Sequence, residues 1–148
     1  MKVCVMNRNV AVGYCHCENI TESIMISISD PWTRYTSAPF VSERNKVRSI
    51  LRLEFEDVDS GDNSMTQADA KRICNFLRYN LREKNTGKER MVIVQCDAGR
   101  SRSAGVAAAI LKYYNGDDSE IFDWPLYNPN MHCYRMMLNT LMQEEPGW

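Results

Sequence analysis

The sequence predicts an α/β protein with a mostly parallel central sheet flanked by helices. Two observations carry this prediction: strand-like and helix-like segments alternate along the chain, and the apolar run Met91–Val94 has no polar interruption. Alternating strands and helices are typical of parallel sheets, and a continuous apolar strand is typical of burial on both faces. The chain has 148 residues, so we expect a single domain over residues 1–148.

Each element has a local signal. Strands are predicted at Val3–Met6, Ile24–Ile28, Ile50–Phe55 and Met91–Val94. Helices are predicted after the capping boxes Ser64–Gln67 or Thr66–Asp69, over Ser103–Tyr114, and over Asn130–Gln143. The first of these helices is predicted to stop at Asn85-Thr86-Gly87. The segment Tyr14–Cys17 is interpreted as strand-like, and Pro31–Lys46 is interpreted as a loop.

Composition and charge exclude several classes of protein. Hydrophobic residues make up 44% of the chain and the formal net charge is -1, so no global charge favours nucleic acid or an anionic membrane. No apolar run approaches the roughly 20 residues that a membrane span needs. The first ten residues lack the apolar stretch of a secretory signal. We therefore expect a cytoplasmic protein without a membrane partner.

The six cysteines are expected to be reduced thiols, because several lie inside apolar strand or helix patterns and no export signal is present. The pair Cys15 and Cys17 raises the question of a metal site. No second cluster of cysteine and histidine completes a tetrahedral set of ligands. We therefore expect no metal.

The segment that carries chemistry runs from the apolar strand through Cys96 to the predicted helix at Ser103. Successive backbone N–H groups in such a turn form an anion-binding nest, and the helix start adds unpaired N–H groups. Gly99 permits close approach of the backbone to the anion, and Arg102 offers a planar guanidinium that matches two phosphate oxygens. The same positive field favours the thiolate of Cys96, and the hydroxyl of Ser103 is placed to hydrogen-bond the sulfur.

The pattern Cys96-x-x-Gly99-x-x-Arg102-Ser103 resembles the signature of protein tyrosine phosphatases, in the short form of the dual-specificity phosphatases. The resemblance implies the fold of the dual-specificity phosphatases. It also implies a two-step reaction through a phosphocysteine intermediate, without metal or cofactor. Its expected catalytic residues are Cys96, Arg102, Ser103 and an aspartate. The loop residues expected to bind phosphate are Asp97, Ala98, Gly99, Arg100, Ser101 and Arg102. The family usually has histidine before the cysteine, whereas this chain has Gln95.

The resemblance places the aspartate, a general acid, on the loop after the third strand. Asp57 follows that strand by two residues and is the expected acid, with Asp59 as the alternative. Crowding among the acidic side chains of this loop favours a protonated carboxyl group, as a general acid needs.

The sequence therefore predicts a phosphomonoester hydrolase that acts on a phosphorylated protein or another phosphomonoester. Phosphotyrosine, phosphoserine or phosphothreonine, phosphoinositide and RNA 5′-phosphate all stay open as substrates, and phosphate or sulfate is expected to bind in the loop. One alternative is a non-catalytic phosphate-binding module on the same scaffold. Another is a sulfurtransferase of the rhodanese type, which the Gly99-x-x-Arg102-Ser103 continuation disfavours.

Overall fold

A computed structural model describes residues 1–81 and 90–143. The elements are β1 (Val3–Met6), α1 (Arg8–His16), β2 (Ser23–Ser29), β3 (Val47–Glu54), α2 (Gln67–Leu81), β4 (Met91–Gln95), α3 (Arg102–Asn115), α4 (Ser119–Phe122) and α5 (Met131–Gln143). The predicted α/β class is confirmed. The predicted stop of α2 at residues 85–87 lies outside the described residues.

The four strands form one sheet in the order β1-β4-β2-β3, and every neighbouring pair is parallel. β4 lies between β1 and β2, and all five of its residues are buried. This position explains the uninterrupted apolar run in the sequence, because a central strand in a covered sheet meets side chains on both faces.

Successive residues of β4 point to opposite faces of the sheet, and each face has its own core. Val92 and Val94 belong to the larger core, which α2, α3 and α5 cover. Ile93 belongs to a smaller core with Ala11 and Cys15 of α1. The sheet is therefore a middle layer between three long helices and one short helix.

Helix α1 corrects the interpretation of Tyr14–Cys17 as strand-like. Tyr14, Cys15 and His16 form the last turn of α1, and Cys17 is its C-cap. Asn7 begins the helix as N-cap, and its side chain accepts a hydrogen bond from the backbone N–H of Val10 at 2.8 Å. The prediction was wrong because only two positions of this short helix are buried.

The capping box predicted for α2 is present at Thr66 and Asp69. The Asp69 carboxylate accepts a hydrogen bond from the backbone N–H of Thr66 at 2.9 Å, and the Thr66 hydroxyl accepts one from the N–H of Asp69 at 3.2 Å. Helix α3 ends at Asn115, and its C-cap Gly116 adopts the left-handed conformation that favours glycine.

The carboxyl ends of the four parallel strands lie at one edge of the sheet, so the residues that follow them converge there. Arg8 follows β1, Asp30 follows β2, Asp57 follows β3, and Cys96 follows β4. This edge carries the candidate site. Within residues 1–81 and 90–143, no helix is long and apolar enough to cross a membrane.

Candidate active site

Cys96 lies directly after β4 at the start of the loop Cys96–Arg102, called here the CX5R loop. Its side chain is buried, and its Sγ lies 3.0 Å from the Oγ of Ser103. The backbone N–H of Ser103 also donates to this sulfur, at 3.5 Å. The sulfur therefore has two hydrogen-bonding contacts with the first turn of α3.

These contacts are explained by the way α3 begins. Ser101 is the N-cap of α3, but its side chain makes no capping hydrogen bond to the helix. An N-cap side chain ordinarily accepts a hydrogen bond from an N–H of the first turn. Here the sulfur of Cys96 accepts the N–H of Ser103 instead, at the end of the helix where the dipole is positive.

Arg102 is the first residue of α3 and its side chain is buried. Its Nη1 donates to Oδ1 of Asp30 at 2.7 Å and to the carbonyl oxygen of Phe55 at 2.8 Å. Its Nη2 lies 3.8 Å from Oδ2 of Asp97. The guanidinium is therefore held from the ends of β2 and β3 while it borders the CX5R loop.

Gly99 is in contact with the junction of β1 and α1. Its φ of 64° lies in the left-handed region, and a Cβ built on it would lie 2.6 Å from the backbone nitrogen of Asn7. The backbone N–H of Arg8 donates to the carbonyl oxygen of Asp97 at 3.2 Å. The CX5R loop therefore packs on the start of α1 at a separation that only glycine permits.

Asp97, which follows Cys96 in the CX5R loop, is part of a charged network. Its Oδ1 accepts from Nε of Arg8 at 3.1 Å, and its Oδ2 accepts from the hydroxyl of Tyr35 at 2.7 Å. The guanidinium of Arg8 also lies over the Tyr35 ring, 3.5 Å from its centroid. Burial alone raises the pKa of Asp97, but these hydrogen bonds outweigh it and hold that pKa below its usual value.

Asp57, on the tract that follows β3, contacts the CX5R loop. Its Oδ1 accepts from the hydroxyl of Ser101 at 2.7 Å and from Nδ2 of Asn130 at 2.9 Å. Within the part of the chain that the structure describes, Asp59 makes no comparable contact with the loop. The acidic tract after β3 is thus attached to the CX5R loop through Asp57.

The segment before α5 closes this side of the site. The backbone N–H groups of Asn128 and Asn130 donate to the carbonyl oxygens of Arg100 and Ser101, each at 2.9 Å. A cavity of about 540 Å³ lies between this segment and the acidic tract, and polar side chains dominate its walls. Asp57, Ser101 and Asn130 are among the residues that line it.

Gln95 lies on the face of β4 opposite to Cys96 and is fully buried. Its Oε1 accepts from the hydroxyl of Ser27 at 2.5 Å. Its Nε2 is buried and has no hydrogen-bond partner within the described residues. Gln95 therefore supports the sheet below the CX5R loop and does not contact the sulfur.

Cys133 of α5 is a second buried thiol near the site. Burial, with a smaller contribution from the Asp57 charge, raises the pKa of Cys133 to about 12. This thiol is therefore neutral at physiological pH. All six cysteines are free, and among the described residues no cluster of three histidine, cysteine or acidic side chains could hold a metal.

The structure brings together Cys96, Arg102, Ser103 and Asp57, as the sequence led us to expect. Arg100 and Ala98 stay exposed on the outer side of the loop. The segment Asn128–Asn130 was expected to face this loop, and Asn130 contacts both Ser101 and Asp57. Sequence reasoning missed Arg8 and Asp30 as side chains that hold the site. For Asp30 a signal existed: it follows the predicted strand Ile24–Ile28 by two residues, and residues after parallel strands meet at one edge of the sheet.

Sequence comparisons with known proteins give one family match. The sequence model of the family described as "Rit1 DUSP-like domain" matches residues 49–143, from β3 to the end of α5. No curated protein sequence matches the chain at a significant level.

Solved structures show the same fold. A variant of human DUSP28 has a TM-score of 0.63 at 18% identity, over 95% of this chain and 90% of that one. A mouse protein described as a dual-specificity phosphatase, complexed with zinc tungstate, has a TM-score of 0.60 at 20% identity, over 93% and 80%. PTPMT1 in complex with PI(5)P has a TM-score of 0.55 at 19% identity, over 96% and 91%. The predicted dual-specificity phosphatase fold is confirmed.

Proposed function

Because the chain belongs to the family of Rit1 DUSP-like domains, we propose that it is a cysteine-dependent hydrolase of phosphomonoesters. The observation that carries the proposal is the pairing of the Cys96 sulfur with the hydroxyl and N–H of Ser103 at the start of α3. A thiolate held at a helix N-terminus beside an arginine is an activated nucleophile.

In the first step, the Cys96 thiolate attacks phosphorus and the bond from phosphorus to the ester oxygen breaks. Arg102 and the N–H groups of the CX5R loop bind the non-bridging oxygens, where negative charge is spread in the transition state. The leaving oxygen takes a proton from Asp57. The products are the free alcohol or phenol and a phosphocysteine.

In the second step, water attacks the phosphocysteine and gives up a proton to Asp57. The bond from phosphorus to sulfur breaks, and the electron pair returns to Cys96 as a thiolate. The Ser103 hydroxyl, 3.0 Å from the sulfur, stabilises the departing thiolate by a hydrogen bond. Inorganic phosphate leaves, and the enzyme is restored with its acid protonated.

The contacts favour Asp57 over Asp59 as the acid. Ser101 and Asn130 both donate to Oδ1 of Asp57, so Oδ2 is the oxygen that can carry the proton to the leaving group. A general acid must reach the leaving oxygen within hydrogen-bond distance, and attachment to the CX5R loop supplies this reach.

The substrate is a phosphorylated protein or another phosphomonoester. The alcohol portion would extend into the polar cavity beside Asp57, which Asn128 and Asn130 help to line. Two proteins with this fold support a phosphate-containing substrate: the mouse protein is complexed with zinc tungstate, and PTPMT1 is complexed with PI(5)P.

Hydrolysis of p-nitrophenyl phosphate tests the nucleophile. We expect Cys96→Ser to lower kcat by at least about a thousandfold, because the serine hydroxyl is not ionised at neutral pH. The matched control is Cys17→Ser, at an exposed thiol outside the site, which should retain the wild-type rate. Wild-type hydrolysis by Cys96→Ser would contradict the mechanism.

A second pair of variants tests the acid. Asp57→Asn should lower kcat about a hundredfold for an alkyl phosphate, because the leaving alkoxide is then not protonated. The loss should be smaller for p-nitrophenyl phosphate, whose leaving group needs less protonation. If Asp59→Asn shows this dependence on the leaving group and Asp57→Asn does not, the acid is Asp59. Binding of phosphate without hydrolysis would instead indicate a non-catalytic module.

A further inference from the structure

Asp30 is an acidic side chain at the site to which the mechanism above gives no role. It is the first residue after β2, and its Oδ1 accepts the 2.7 Å hydrogen bond from Nη1 of Arg102. The Arg102 side chain is only 6% exposed, whereas that of Asp30 is 37% exposed. Asp30 therefore reaches the buried guanidinium from the open side of the site.

The hydrogen bonds of Arg102 fix which edge of its guanidinium is occupied. Nη1 carries two N–H groups, and these are used by Asp30 and by the carbonyl oxygen of Phe55. Within the described residues, the edge formed by Nε and Nη2 makes only the longer contact of 3.8 Å with Asp97. This edge has the geometry that binds two oxygens of one phosphate.

We propose that Asp30 is a positioning residue, which anchors Nη1 of Arg102 so that the Nε–Nη2 edge receives the phosphate. The negative charge of Asp30 also weakens the binding of a dianion. This weakening ends when Asp30 takes up a proton. The part of this proposal that concerns turnover rests on the proposed function. The part that concerns anion binding needs only the loop and Arg102.

Four ionisable groups surround Asp30. Arg102 faces it from α3 and Asp97 from the CX5R loop, and the Tyr35 hydroxyl accepts a hydrogen bond from the backbone N–H of Asp30 at 3.0 Å. Arg8 of α1 acts on it through Asp97. Burial raises the pKa of Asp30; Arg102 opposes this effect, and the neighbouring Asp97 adds to it, so the net shift is upward. Because the Asp97 pKa is lowered, Asp30 is the member of the pair that takes up a proton first.

The direction of the pH effect follows from these charges. A bound dianion raises the pKa of Asp30 further, because it is a like charge nearby. Binding is then coupled to proton uptake, and the affinity for a dianion increases as pH falls toward the pKa of Asp30 in the free protein. Asparagine at this position keeps a carbonyl oxygen for Arg102 but carries no charge, so this dependence on pH disappears.

Sulfate is a suitable probe because it stays a dianion from weakly acidic to neutral pH. Its binding would be measured calorimetrically in the Cys96→Ser background, which removes the thiolate charge. We expect Asp30→Asn to bind sulfate about tenfold more tightly than its parent at neutral pH. The two proteins should converge in affinity as pH falls. Asp62→Asn, an equal charge change on the exposed acidic tract, is the control and should behave as the parent does.

Turnover tests the anchoring role separately, with Cys96 present. Asp30→Asn should keep kcat within about threefold and lower KM, whereas Asp30→Ala should lose kcat by about tenfold or more because Arg102 loses its anchor. Thermal unfolding of each variant shows that the protein is folded. A merely structural role would lower the melting temperature without changing the pH dependence of sulfate binding.

The assignment is overturned if Asp30→Asn and its parent bind sulfate equally at every pH, or if Asp30→Ala keeps the wild-type kcat. In those cases the role of Cys96 is unaffected. If the pH-dependent difference in sulfate binding is found in a protein that hydrolyses no phosphoester, the proposed function is wrong and the effect of Asp30 on anion binding stands.

Discussion

Single residues below the CX5R loop place polar groups inside the buried interior of the sheet. Gln95 and Ser27 are both buried, and they share one hydrogen bond across β4 and β2. The other amide atom of Gln95 has no partner within the described residues. A buried polar group without a partner costs about 1–3 kcal/mol. This pair is therefore a weak point of the sheet.

A double variant tests the cost of this pair. Ser27→Ala alone leaves the whole Gln95 amide unpaired, and we expect it to lower the free energy of unfolding by about 1–2 kcal/mol. The double variant Ser27→Ala with Gln95→Met removes both polar groups and should be at least as stable as wild type. Urea denaturation of the variants gives these values. A double variant less stable than Ser27→Ala would show that the amide makes a favourable interaction.

At the scale of elements, the sequence was sufficient to predict a helix or strand where one face of that element carries a strong apolar pattern. The four strands, α3, α5 and the start of α2 were predicted within a few residues, because each carries a continuous apolar stripe or run that packs into the core. Helix α1 was missed since only Ala11 and Cys15 are buried, and two positions do not define a helical period. The cap residue Asn7 was its clearest signal.

The residues of the candidate site also divide into those that the sequence predicts and those that only the fold brings together. Cys96, Arg102 and Ser103 are close in sequence, so their spacing alone predicts that their side chains lie close together. Arg8 and Asp30 reach the site from the ends of other strands, and only the strand order brings them there. The partners of a loop are set by tertiary packing, which a local pattern does not encode.

The contact between the CX5R loop and α1 gives a prediction for Gly99. Gly99→Ala places a methyl group 2.6 Å from the Asn7 nitrogen at a φ of 64°, so the loop must move. We expect a loss of about 2 kcal/mol in the free energy of unfolding, together with loss of hydrolysis.

Gly13 is the matched control for this variant. It lies inside α1, and a Cβ built there has no heavy atom within 4 Å. Gly13→Ala should therefore raise the free energy of unfolding by about 0.5–1 kcal/mol, because alanine is the better helix former. Thermal denaturation and p-nitrophenyl phosphate hydrolysis would be measured on both variants. Equal stability of the two would contradict the close approach at Gly99.

For the whole molecule, Asp97 links three separate parts of the chain: α1 through Arg8, the loop after β2 through Tyr35, and its own loop. Its pKa is lower in the fold than in the unfolded chain. The stabilisation that the Asp97 carboxylate provides is therefore complete above the pKa that Asp97 has in the unfolded state. It is lost as pH falls through the lower pKa that Asp97 has in the folded state.

Asp97→Asn tests this linkage. At neutral pH the variant should be less stable by about 2 kcal/mol, because it loses charged hydrogen bonds to Arg8 and Tyr35. As pH falls into the acidic range, the difference from wild type should shrink. Guanidinium denaturation at a series of pH values measures both quantities. A difference that stays constant with pH would show that the Asp97 charge does not contribute.

The strand order has a consequence for synthesis on the ribosome. β4 lies between β1 and β2 in the sheet but is made last of the four strands. Until β4 leaves the ribosome, β1 lacks its pairing strand, and β2 has one open edge that can pair with other chains. Cys96 follows β4 directly, so the strand that closes the sheet also brings the Cys96 sulfur to its place. A nascent chain can therefore hold this thiol in its final surroundings only once its sheet is complete.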